Sequence, residues 1–87
     1  MPSRRVRITA HNGAHARPVA ELARLAIAHA DPITLTTSGG VVVDLSSILA
    51  VMDLALTEGD EVVLETRTSA GAETLLDTMA AVLAPPR

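Results

Sequence analysis

The stretch Asn12-Gly13-Ala14-His15-Ala16-Arg17-Pro18 brings a nitrogen nucleophile, a fixed cation and two turn signals close together. Asn-Gly favours a turn because both residues tolerate positive φ. Proline suits the first turn of a helix, where its missing N–H would have no intrahelical partner. His15 therefore falls where a loop becomes a helix. A helix N-terminus carries unpaired N–H groups and about half a positive charge, which makes it an anion site. Arg17 adds a guanidinium fork that matches phosphate oxygens. Histidine can form covalent intermediates. The positive helix end and Arg17 disfavour the imidazolium, so the ring is expected to stay neutral with a lone pair free to attack. The same positive groups then favour an attached phosphoryl group. From the residues alone, an ordinary exposed histidine at a helix cap remains the alternative.

Other candidates carry less chemistry. His11 and His15 have the spacing of a helical metal pair, but Asn12-Gly13 between them argues against a helix, and no further ligand completes a zinc site. Neither a metal nor another cofactor is expected. His29, near the expected end of the first helix, suits the helix dipole. The chain has 87 residues, a formal charge of −3, and no cysteine, tryptophan, tyrosine or phenylalanine. Disulfides and thiolate metal sites are excluded. Bases have no aromatic platform to stack on, and the basic residues are dispersed, so nucleic acid is not an expected partner. No apolar run approaches a membrane span. The basic start "MPSRRVRIT" lacks the apolar region of a secretory signal. The cytoplasm is the expected location.

These residues must be positioned by a small set of elements. "RRVRIT" alternates, with Val6 and Ile8 on one face and Arg5, Arg7 and Thr9 on the other, which predicts a strand. From Ala16 the period changes, and Val19, Leu22, Ala23, Ala26 and Ile27 follow the spacing of an amphipathic helix. Asp31-Pro32 is expected to end it. Ile33 and Leu35 alternate with Thr34 and Thr36 in a second strand. Ser38-Gly39-Gly40 reads as a hairpin turn, and "VVVDL" returns as a third strand. Either Ser46 or Ser47 can cap a short helix carrying Ile48, Leu49, Val51 and Met52. That helix is too short to bury all of Ile48, Leu49 and Met52. "TEGDE" is a turn, and "EVVLETR" is a fourth strand with Val62 and Leu64 inward. The last helix carries Leu75, Leu76, Met79, Val82 and Leu83 on one stripe, and Pro85-Pro86 stop it. The order β-α-β-β-α-β-α predicts one α+β domain over residues 1–87. It is an open-faced β-sandwich, a four-stranded antiparallel sheet with three helices on one face. The other face carries Arg5, Arg7, Glu61, Glu65 and Arg67, which suits water.

"NGAHARP", followed by the helix, the strands and "DLSSILAVMDL" in this order, resembles the HPr family. These are the histidine-containing phosphocarriers of the bacterial phosphoenolpyruvate:sugar phosphotransferase system. The resemblance runs from about Arg5 to Leu83. It implies the same open-faced fold and a carrier rather than a self-contained enzyme. It implies that His15 takes a phosphoryl group on Nδ1 from enzyme I, that Arg17 steadies the group, and that a sugar-specific enzyme IIA receives it. The family's regulatory serine, directly before the isoleucine, corresponds to Ser47, so an HPr serine kinase is a further implied partner. A plain N-cap role for Ser47 is the alternative. Apolar residues of the short helix form the family's docking patch, which maps to Ile48, Leu49 and Met52. Ala20 and Arg24 on the first helix are further interface candidates, Arg24 because the family docks acidic partners near a basic residue there. This chain departs from the family in carrying Ala50 and Ala55 where glycines are common, Asp53 where a serine is common, and a hairpin one residue longer.

Three functions compete on these residues. A phosphocarrier, expected to be a monomer in sugar uptake, uses His15 and docks transiently to two kinds of protein. A regulatory or binding module of a nitrogen-related or dihydroxyacetone branch would act by contact alone. Paralogues of that kind often lose the histidine, whereas His15, Arg17 and Pro18 are all present. A self-contained enzyme would need an acid–base partner for the histidine and a cleft, for which so short a chain leaves little room.

Overall fold

Alternation in the strands decides the layering. In the computed structural model, residues 2–9 and 16–84 are described, apart from the side chains of residues 16 and 17. The elements are β1 (Ser3–Arg7), α1 (Ala16–Ala28), β2 (Thr34–Thr37), β3 (Val42–Asp44), α2 (Ile48–Asp53), β4 (Glu61–Glu65) and α3 (Ala72–Leu83). The four strands form one sheet in the order β1-β4-β2-β3, with every pair antiparallel. Arg4, Leu64, Leu35 and Val43 stand opposite one another across the sheet, on the face that meets the helices. The next row, Arg5, Val63, Thr36 and Val42, points the other way because side chains alternate along each strand.

The inner face and the helices share one aliphatic core. Ile8, Leu22, Ile33, Leu35, Leu45, Leu64, Leu76, Met79 and Leu83 have no exposed surface. α1 packs against both α2 and α3, and α3 lies against β1. Arg4, the cation on the inner row, stands on the edge strand and reaches α3. Its Nη2 meets Glu73 at 2.6 Å, and its Nε meets Asp77 at 2.7 Å. The buried Thr66 hydroxyl donates to the Pro32 carbonyl at 3.0 Å, which joins the end of β4 to the start of β2. On the outer face Arg5, Glu61 and Arg67 are exposed, so the sheet is open on that side, as the alternation predicts. No helix among the described residues is long and apolar enough to cross a membrane.

Two expectations need correcting. Ile27 is not on the buried stripe of α1; it is 69% exposed. With 3.6 residues per turn it lies roughly 80° around the helix from Val19, at the stripe's margin. The core below that end of α1 is already filled by Ile33 and Leu45. α1 also ends at Ala28, before Asp31-Pro32, so the proline lies beyond the helix rather than at its last turn. On α3, Leu76, Met79 and Leu83 are fully buried, while Leu75 and Val82 only flank the core. The expected stop at Pro85-Pro86 lies outside the described residues.

Candidate phosphoryl-transfer site

The segment that carries His15 leaves β1 and enters α1, and both flanks are anchored. The Ile8 amide donates to the Asp60 carbonyl at 2.8 Å, and the Thr9 amide donates to the Leu83 carbonyl at 3.0 Å. On the helix side Val19 and Leu22 are buried. α1 begins at Ala16, the residue after His15, and Pro18 stands in its first turn, where the missing N–H costs no hydrogen bond. His11, Asn12, Gly13 and His15 lie outside the described residues, as does the side chain of Arg17. The helix start expected just after His15 is thus observed, while the turn expected at Asn12-Gly13 lies outside the described residues.

Beside α1 lies α2, whose apolar residues divide between two jobs. Val51 is buried in the core. Ile48, Leu49 and Met52 are 40%, 76% and 44% exposed, as a docking role requires. Ala20 and Arg24 on α1 are exposed too. Ser47, not Ser46, caps α2. Its backbone is extended, and its hydroxyl accepts from the Ala50 amide at 3.4 Å. Ser46 is engaged elsewhere, since its amide and hydroxyl donate to one Asp44 carboxylate oxygen at 2.8 and 2.7 Å. Those bonds, the hydroxyl's first, hold the Asp44 carboxyl below the usual carboxylate range. The turn thus frees Ser47 for the cap and leaves it exposed.

Arg24 does not stand alone. Its Nε and Nη2 donate to the two carboxylate oxygens of Glu21 at 3.1 and 2.5 Å. Hydrogen bonding to Arg24 lowers the Glu21 pKa, and the same bonds raise that of Arg24. The i, i+3 spacing of Glu21 and Arg24 on α1 is the sequence signal for such a pair.

Residues 2–84 match the family described as the PTS HPr component phosphorylation site. The chain belongs to the HPr family. The phosphocarrier protein HPr of Streptomyces coelicolor is 37% identical over 84 residues, covering 97% of this chain and 89% of that protein. The crystal structure of a phosphocarrier protein HPr from Bacillus anthracis is 30% identical, with a TM-score of 0.83, covering 94% of this chain and 95% of that one. A mycoplasma histidine-containing phosphocarrier protein is 26% identical, also with a TM-score of 0.83, and covers 94% of this chain. The chain is thus a phosphotransferase-system phosphocarrier, not a catalytic enzyme, with the open-faced HPr fold. Ala55, where HPr sequences commonly have glycine, takes φ 52° directly after the helix.

Among the described residues no three His, Asp or Glu side chains converge as a metal site. His29 Nε2 is buried without a hydrogen-bond partner among the described residues. His29 lines a small cavity with Leu25, Ala28, Ala70, Gly71 and Leu75, where the end of α1 meets the start of α3.

Proposed function

We propose that this chain carries a phosphoryl group on His15 from phospho-enzyme I to a sugar-specific enzyme IIA, as a cytoplasmic monomer of one domain. The observation that supports this reading is the HPr family match across residues 2–84, which includes His15, together with a helix that begins at Ala16. The Nδ1 lone pair attacks phosphorus, a P–N bond forms at His15, and the donor's bond to phosphorus breaks. The N-terminal amides of α1 and the Arg17 guanidinium stabilise the added negative charge. Transfer to enzyme IIA is the same step in reverse order of donor and acceptor. Ala20, Arg24, Ile48, Leu49 and Met52 form the docking face. Ser47, exposed at the head of α2, is a regulatory phosphorylation site, where a phosphoryl group adds about −1.5 to −2 charges beside that face.

Incubation with enzyme I, Mg²⁺ and phosphoenolpyruvate tests the reading. One phosphoryl group should be added, labile in acid and stable in base, because protonating the ring makes it a good leaving group. His15→Ala should abolish labelling, while His11→Ala and His29→Ala retain it. Arg17→Ala should slow transfer roughly ten- to a few-hundred-fold, if a charge-assisted contact contributes about 1.5–3 kcal/mol. Acid-stable label, or label persisting in His15→Ala, would falsify the assignment.

A further inference from the structure

The chain has no cysteine, tryptophan or tyrosine, so its thioethers are the side chains that a two-electron oxidant attacks most readily. Its three methionines are Met1, Met52 and Met79. Met1 lies outside the described residues. Met79 is 0% exposed and belongs to the core, whereas Met52, near the end of α2, is 44% exposed and lies outside the core cluster. Oxidation of a thioether follows the access of the oxidant to sulfur. The fold therefore separates two identical groups, one open to solution and one closed. Ile48 and Leu49 lie four and three residues before Met52, so the three side chains share one side of α2. All three are exposed, and Val51 is the residue by which α2 fills the core. A sulfoxide is polar and chiral where the thioether is apolar and flexible. Formed at Met52, it changes the exposed side of α2 and leaves the core packing alone.

We infer that Met52 is a site of reversible oxidation by peroxide, and that its sulfoxide weakens engagement with the phosphoryl-donor protein. In the forward step the peroxide O–O bond breaks and one oxygen bonds to sulfur. The sulfur is oxidised by two electrons, and the other oxygen leaves as water. In the reverse step a sulfoxide reductase passes two electrons from a dithiol to the sulfur. The dithiol becomes a disulfide, and the oxygen leaves as water. The effect on binding rests on the proposed docking role of α2, whereas the oxidation of Met52 does not.

Treating the folded chain with hydrogen peroxide, and then with catalase, should add one oxygen atom to the peptide that contains Met52 and leave Met79 unmodified. In urea both should react. The oxidised chain should keep its circular dichroism and its urea unfolding midpoint. Affinity for unphosphorylated enzyme I, measured in a His15→Ala background with enzyme I never exposed to oxidant, should fall about five- to ten-fold on oxidation. Methionine sulfoxide reductases for both epimers, with dithiothreitol, should restore it. Met52→Leu, compared only with itself, should bind equally before and after peroxide. Oxidation of Met52 no faster than that of Met79 would overturn the inference. So would unchanged affinity of the oxidised chain, no measurable binding by the untreated one, or a loss that Met52→Leu shares or that the reductases do not repair. A lowered unfolding midpoint would overturn it too, because the sulfoxide would then act on the fold. None of these outcomes depends on His15 accepting a phosphoryl group, which the acid-lability experiment decides by itself.

Discussion

Ala55 holds a left-handed backbone, φ 52°, one residue past the Leu54 cap of α2, and its amide donates to the Met52 carbonyl at 3.1 Å. Helices often end on such a residue, and glycine is the usual choice because it has no Cβ to collide with the following carbonyl. The conformation costs an L-residue about 1–2 kcal/mol. Replacing alanine by glycine also loosens the unfolded chain, which takes back about 0.4–1 kcal/mol. Relief is the larger effect, so Ala55→Gly should stabilise the protein by roughly 0.5–1 kcal/mol in urea unfolding. A lower midpoint would show that the helix end relaxes without glycine. Nothing in the local pattern of "DLALTEG" announces this position as left-handed; only the resemblance to HPr sequences, where glycine is common there, marks it. Ile27 shows the opposite failure. Its spacing fits the apolar stripe, but periodicity does not know where the core below the helix ends.

At the scale of the element, α2 is a helix of 6 residues whose ends matter more than its interior. Its cap bond, Ala50 amide to Ser47 hydroxyl, is long at 3.4 Å. Ser47→Ala should therefore cost near the low end of the capping range, about 0.5 kcal/mol. Ser47→Asp keeps an acceptor at the cap and should leave stability nearly unchanged while slowing phosphoryl transfer to His15. Equal transfer rates for the two variants would remove the regulatory assignment. The preceding turn adds a pH dependence. The Asp44 carboxyl is held below its ordinary value by the Ser46 hydroxyl and amide. A carboxyl with a lowered folded pKa stabilises the fold above its unfolded pKa, and that stability is lost as pH falls through the folded value. Asp44→Asn should thus be less stable than the parent at neutral pH, by less than about 1 kcal/mol because the group is exposed and screened. The difference should vanish in acid, below the carboxylate range. A deficit that persists unchanged there would mean the charge is not what the turn uses.

For the whole molecule, most of the architecture was written in the strand alternation. Val6 and Ile8, Leu35, and Val62 and Leu64 each predict the buried face, and those residues line it. The antiparallel pairings follow from leaving Arg5, Glu61 and Arg67 to water. What local pattern could not reveal is contact made at long range. Arg4 reads as one more polar residue of an edge strand, yet it joins β1 to Glu73 and Asp77, about seventy residues away. The proposed chemistry rests on signals of a different kind: a turn signal, a histidine, an arginine and a helix-starting proline are all local. Their side-chain geometry is not fixed by those signals. The one-sided core also sets a test on the molecule as a whole. Leu64 and Arg5 stand on opposite faces of neighbouring strands, the first with no exposed surface and the second open to water. Leu64→Ala removes buried volume at the sheet centre and should cost about 2–5 kcal/mol, a large share of the roughly 5–15 kcal/mol that holds a domain folded. Arg5→Gln touches no core and should fall within about 0.5 kcal/mol of the parent. Urea unfolding at low and high protein concentration would separate the cases. If Arg5→Gln costs several times that amount, and only at high concentration, the outer face is covered by a second copy in solution and the open-faced carrier is not the species that works.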